Sequence, residues 1–376
     1  MKLNLSFFFW VKLSIFSVIC LSLMTLPPAQ AQTAQPLKLG AIFSLTGFGA
    51  KGGIGELRAV QMAVDEINND NNTPQKIILV VEDNQSDLKA SVSAFKKLVE
   101  LDRIDALVGP NWSEFTEVVA PLAERAKIPM ITPSGVLKTS TKNIRQYVFS
   151  LMQPALETNR PLAEAVLATP GITDVLALVH DNVYLENCFV ASKEIWNGKL
   201  KISEVRISSS ESPDYRSILL RGARKPGTAI FASVLTGQYA ALLKARQQLG
   251  ITAPVFAVDI IYDGAFQAGS SFDKELLNGV IATDFKTLGS EDFHNRFFAK
   301  FKESPLNYAA KAYDAVQILM QASITCGKRN YECIRDFDRM GESGHLKFGV
   351  DHVVVSEGRV ADNYVFKANA WERVQE

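Results

Sequence analysis

A β-α-β unit stands directly behind an export signal, and that pairing narrows what the rest of the chain can be. Leu37–Ser44 is apolar and extended, glycines follow at positions 47, 49, 52 and 53, and Ala59–Asn68 has helical spacing. Lys76–Val81 reads as the next strand and ends on Glu82, Asp83 and Asn84. Strand-helix-strand order implies parallel strands with the helix laid across one face. Inside a cell such units commonly hold nucleotides. Outside the membrane, where nucleotide is scarce, a small solute is the better expectation.

Residues 1–31 carry the export reading. Their only charges are Lys2 and Lys12, Phe7–Leu26 is largely apolar, and Ala29-Gln30-Ala31 is a small-x-small cleavage site. The apolar stretch approaches bilayer-spanning length, so an uncleaved anchor is the rival; Lys12 and the cleavage site favour a cleavable signal peptide. The residues before Cys20 do not spell a lipid-attachment site. Removing 31 of 376 residues leaves 345, enough for two cores. Removing the two lysines leaves 38 Lys and Arg against 40 Asp and Glu, a formal charge of −2. That balance gives no reason to expect a nucleic-acid partner or an anionic membrane surface.

Three cysteines remain. Cys326 and Cys333 enclose a short polar loop, and an oxidising compartment favours a disulfide between them. A metal site would need more Cys or His nearby. Cys188, without an obvious partner, reads as a small apolar filler.

Strand-like and helix-like segments alternate throughout. Ala106–Gly109, Pro129–Thr132 and Tyr147–Leu151 are extended, with Glu114–Lys127 helical between the first two. The alternation restarts after Pro154: strands at Val175–His180, Lys201–Ile207, Ala229–Ser233, Val255–Val258 and Gly279–Thr283 are separated by helical stretches. Glu291–Glu303 and Tyr308–Cys326 are helical and are expected to return to the first lobe. Val353–Phe366 reads as a hairpin turning near Glu357 and Gly358.

Gly47, Gly49 and Gly52 satisfy a G-x-G-x-x-G pattern, but Glu82 and Asp83 come too late for a dinucleotide fingerprint. The loop would still offer N–H groups to a carboxylate at a helix N-terminus. No G-x-S-x-G elbow occurs, and the four histidines are scattered, so nothing supports catalysis. His180 and Asp181, at a strand end, read as a pair that shapes a loop. Open parallel sheets bind ligands at strand C-termini, which singles out two loops. Gly109–Ser113 precedes a helix, with Ser113 at the expected N-cap. The other is Thr132–Val136, polar at Ser134 and open at Gly135. Opposite them, Asp259 after Val255–Val258 could neutralise an ammonium group, or be a solvated loop charge.

These features together resemble the periplasmic solute-binding proteins of the leucine/isoleucine/valine-binding type, the type I fold serving ABC importers. The resemblance rests on Leu39–Gly47, Ala63–Asn68, Glu82-Asp83-Asn84, Val108-Gly109-Pro110, Ile128–Ser134, Leu178–Asp181, Asp214-Tyr215-Arg216 and Ala309–Ala315, in that order. It implies α/β architecture, two doubly wound parallel-sheet lobes joined by a three-segment hinge, with ligand enclosed as the hinge closes. Residues 36–153 and 285–346 would form lobe 1, and residues 154–284 and 347–376 lobe 2. It further implies that Ser113 and the backbone around Ser134 and Gly135 hold a ligand α-carboxylate while Asp259 takes its ammonium. Departures are visible: Val136 stands where a hydroxyl is usual, aromatic walls are missing near Gly52 and Leu235, and Leu185 replaces a tyrosine beside Tyr184. Trp112 could supply an aromatic wall instead.

The expected molecule is a monomeric, non-enzymatic, periplasmic protein without cofactor. It would capture a small amino acid or related carboxylate and present it to a membrane permease. A sensor that reports ligand to a receptor is the alternative, and an exported enzyme acting on a small amide or carboxylate a more distant one.

Overall fold

The computed structural model describes residues 34–135, 145–208, 213–262, 273–285, 289–306, 308–355 and 361–374. The expected signal peptide, Val136 and the expected turn at Glu357 and Gly358 lie outside them. Within these residues the chain forms two parallel sheets, each covered by helices.

The first sheet has the order β2-β1-β3-β4-β5, all parallel. Its strands are β1 (Ala34–Phe43), β2 (Gln75–Asp83), β3 (Ala106–Val108), β4 (Met130–Thr132) and β5 (Val148–Ser150). Leu39, Ala41, Ile42 and Phe43 are all fully buried, so adjacent residues of β1 bury opposite faces of the sheet. A continuous apolar run is what a strand between two helical layers requires. On one face lie α1 (Ala50–Asn69) and α9 (Ala309–Cys326). On the other lie α2 (Leu88–Glu100) and α3 (Ser113–Ala126).

The second sheet has the order β14-β13-β10-β9-β8-β6-β7. Its parallel part is β6 (Asp174–His180), β7 (Lys201–Ile207), β8 (Thr228–Ser233), β9 (Val255–Ala257) and β10 (Ile281–Phe285). Two antiparallel strands, β13 (Ala361–Lys367) and β14 (Ala370–Arg373), extend its edge. Helices α4 (Ala155–Ala168), α5 (Val183–Trp196), α6 (Tyr215–Gly222) and α7 (Thr236–Gln248) surround it. Trp196, wholly buried, donates its indole N–H to the carbonyl of Ala163 at 2.9 Å and meets Phe231 edge-on, binding α5 to α4 and to β8.

After β10 the chain returns to the first lobe as α8 (Glu291–Phe301) and α9. Residues Ala309 to Val316 of α9 are buried without interruption, so this helix is core on every side. Cys326 at its end is disulfide-bonded to Cys333, at the start of the short helix α10 (Glu332–Arg335), with Cα atoms 6.2 Å apart. The strands β11 (Asp338–Gly341) and β12 (Gly344–Lys347) then form a small separate hairpin. Asp314 fixes its turn by accepting from Glu342 N, Ser343 N and the Ser343 hydroxyl.

The expected Val353–Phe366 hairpin is corrected here. Val353 bridges Ser150 and Val354 bridges Phe348, both in the first lobe, while β13 pairs with β10 and β14. The observed hairpin turns at Ala368 and Asn369, both at positive φ, a geometry that suits a two-residue connection. Its physical origin is the apolar pair Phe348 and Val354, which find their core beside Phe149. On this packing we propose that the third crossing lies beyond Val355, later than position 346.

Candidate functional site

The strand ends of the two sheets face each other, and the residues there are drawn together by specific bonds. Phe43 leads into Ser44, whose N–H donates to Asn111 Oδ1 (2.8 Å) and whose hydroxyl donates to Asn84 Oδ1 (2.8 Å). Asp83 receives Leu45 N (2.8 Å) and the Thr46 hydroxyl (2.7 Å), so the loops after β1, β2 and β3 form one unit. The glycine loop is packed onto this unit. A Cβ at Gly49 would lie 2.6 Å from Trp112 Nε1, and one at Gly53 would run into the Ser44 carbonyl oxygen. Three of its N–H groups are bonded: Gly49 N to Ser86 Oγ, Ala50 N to the Gly47 carbonyl and Gly53 N to the Gly49 carbonyl. Gly49 and Gly53 thus serve close packing.

The loop after β3 differs in detail from expectation. Trp112, not Ser113, occupies the N-cap position of α3, at φ 65° and without a side-chain cap. Asn111 is anchored to β1, so the chain enters the helix one residue early and Ser113 becomes its first, buried residue. Trp112 touches Phe48 edge-on at 5.4 Å and packs against the core of the second lobe. Beyond β4, Thr132 Oγ1 donates to the Pro110 carbonyl (2.8 Å) and accepts from Gly135 N (2.8 Å). The Ser134 hydroxyl is directed to Glu56 of α1, at 3.0 Å from both carboxyl oxygens.

On the second lobe Asp259 is 4% exposed, with Oδ1 accepting from Tyr184 OH (2.5 Å) and Oδ2 from Tyr308 OH (3.2 Å). Tyr184 belongs to the same lobe and Tyr308 sits just ahead of α9 on the other, so Asp259 bridges the two. Burial pushes its carboxyl up to about 7, against the two tyrosine hydrogen bonds that favour the charged form. A second contact between lobes joins Asn182, the N-cap of α5, to Glu114 in the first turn of α3, at 3.0 Å. Leu235, at the N-cap of α7, is partly buried against the second core. His180 shapes its loop by accepting from Asn182 N through Nδ1 at 3.1 Å.

Two charged residues absent from the sequence reading join this region. Glu56 is 3% exposed, and burial raises its carboxyl to about 8. Lys311 is 1% exposed; burial lowers its ammonium to about 7, while Glu56 and Asp259 pull it back upward. Lys311 Nζ donates to Gln153 Oε1 at 2.6 Å, on the segment between β5 and α4, and lies 5.9 Å from the Tyr308 ring. The signal for both was their setting: Lys311 lies among alanines in an apolar helix, and Glu56 between glycines and Leu57. Tyr184 and Asp259 thus join Tyr308 across the lobes, and Trp112 packs against the second core, while Ser113, Ser134 and Gly135 lie in the loops after β3 and β4, with Leu235 at the margin of the second core. Among the described residues no cluster suited to a metal ion occurs.

Solved structures share this architecture. The isoleucine-bound branched-chain amino acid transporter substrate-binding protein LivJ of Streptococcus pneumoniae superposes with a TM-score of 0.76 at 21% identity, over 90% of this chain and 99% of that one. The leucine-binding protein LivK of Thermotoga maritima gives 0.74 at 18% identity, over 90% and 98%. A benzoate-bound solute-binding protein of Rhodopseudomonas palustris gives 0.73 at 17% identity, over 90% and 95%. A family model described as periplasmic binding protein matches residues 36–336. With two α/β lobes meeting around buried charges, and that match over most of its length, this chain belongs to the periplasmic binding protein family, whose members bind rather than transform their ligands.

Proposed function

We propose that this is the extracytoplasmic substrate-binding component of an ABC importer, which captures a small amino acid or related carboxylate as its lobes close. The observation that carries the reading is Asp259: a buried acid shared by Tyr184 of one lobe and Tyr308 of the other. A buried carboxylate is costly even with two hydroxyl donors, and a ligand ammonium would relieve it. Ser113 and the loop after β4 are suited to the carboxylate end, next to the N-terminus of α3. Trp112 supplies an apolar wall. A ligand touching both lobes favours the closed state by its differential contacts, and a membrane permease would read that shape. The bound proteins of similar fold, one with isoleucine and one with benzoate, span the amino-acid and plain-carboxylate classes. Export by residues 1–31 and a periplasmic location belong to the same reading. Among the described residues no helix is long and apolar enough to cross a membrane.

Titration calorimetry on ligand-stripped protein tests this. Asp259→Asn should weaken an amino acid by roughly 10- to 150-fold, the range for a lost charge-assisted hydrogen bond. The same acid lacking its amino group should be little affected. Equal loss for both would remove the ammonium role of Asp259.

A further inference from the structure

The two-ended reading leaves two buried charges without a task. Glu56, bonded to Ser134 in the loop after β4, and Lys311, bonded to Gln153 between β5 and α4, are both buried, and the two interact electrostatically with each other; Lys311 also feels Asp259. Among the described residues, both Glu56 oxygens share the one Ser134 hydroxyl, which can donate to only one at a time. Among the same residues Lys311 Nζ has a single hydrogen-bond acceptor, Gln153, against a capacity of three donors. Groups so deeply buried cost free energy wherever their capacity stays unmet. A branched aliphatic side chain placed against them would leave that capacity unmet.

We infer that Glu56 and Lys311 together form a specificity site for a carboxamide group, so that the amino acid bound here carries a side-chain amide rather than an aliphatic side chain. The match holds wherever the proton sits. As carboxylate and ammonium, or as carboxylic acid and amine, the pair offers both an acceptor and a donor. A carboxamide answers with an N–H for Glu56 and a carbonyl oxygen for Lys311. A carboxylate offers acceptors alone and adds negative charge beside Glu56 and Asp259. An isopropyl group of the same shape offers neither. Selectivity of this kind is strong because the wrong ligand leaves buried polar groups unpaired. The inference rests on the amino-acid reading given above, and the test separates the two.

The full mature chain, stripped by unfolding and refolding, is titrated with four near-isosteric ligands: asparagine, leucine and their desamino forms, succinamate and 4-methylpentanoate. Asparagine should bind about ten-fold or more tightly than leucine, and succinamate more tightly than 4-methylpentanoate. Lys311→Met should collapse both ratios towards one. Glu56→Gln, which keeps a donor and an acceptor in place, should preserve them. If leucine binds as tightly as asparagine, or if none of the four binds, the amide site is overturned. If the amide preference holds but amino and desamino ligands bind alike, the ammonium role of Asp259 fails and the amide site stands. The wild-type ratios decide the matter even where a variant does not fold.

Discussion

Replacing Asp259 with asparagine should change how the ligand-free protein responds to pH. Asp259 is buried between Tyr184 and Tyr308, and desolvation raises its carboxyl from 3.8 to about 7. The folded state therefore favours the protonated form. Below 3.8 the acid is protonated whether the chain is folded or not, and its contribution is fully present. As pH climbs towards 7 the unfolded chain releases the proton more readily, and stability falls; above 7 the loss levels off. Between pH 5 and pH 8 that shift removes about 2–3 kcal/mol of stability. Asparagine does not titrate, so the variant lacks this slope. The stability difference, variant minus wild type, should thus grow in the variant's favour by about 2–3 kcal/mol over that interval. Other titrating groups, such as the buried His180 and His352, are common to both proteins and cancel in the difference. Urea unfolding followed by fluorescence of Trp196, which sits in the second core, reads the relevant lobe. A pH-independent difference would show that Asp259 is solvated and would refute the reasoning.

Three further outcomes follow from the packing. Gly53→Ala pushes a Cβ into the Ser44 carbonyl and should destabilise the first lobe by about 1–3 kcal/mol, seen as a lower melting temperature. Cys333→Ser opens a loop of sequence separation 7 and should cost about 2–3 kcal/mol relative to the oxidised wild type, with the difference abolished by reductant. Asn182→Ala removes the bond to Glu114 between the lobes, and small-angle scattering of the ligand-free chain should show a larger radius of gyration.

Much of the architecture is legible because parallel strands buried on both faces leave continuous apolar runs. Val175–His180 and Leu37–Ser44 are such runs, and the observed strands begin within three residues of them and end within one. The restart after Pro154 is legible for the same reason. Leu88–Glu100 escapes the reading because only Ser91, Ala94, Phe95 and Leu98 are buried, a narrow face of the helix. The pairing of Val353 and Val354 with the first lobe escapes it because strand partners are set by tertiary packing, and a turn near Glu357 and Gly358 is equally compatible with the residues alone. At the site, Asp259 is legible from its place after a strand end, whereas Tyr184 enters only through the family resemblance. Glu56 and Lys311 are not, since a charge on a helix ordinarily marks a solvated face. Only the burial of α9 on all sides removes that option for Lys311.

A crystal structure of stripped protein with an amino acid bound at saturating concentration tests the central claim most directly. The account predicts one ligand between the lobes, its ammonium against Asp259 and its carboxylate beside Ser113 and the loop after β4. A ligand bound to one lobe alone, or with its carboxylate turned to Asp259, would contradict it.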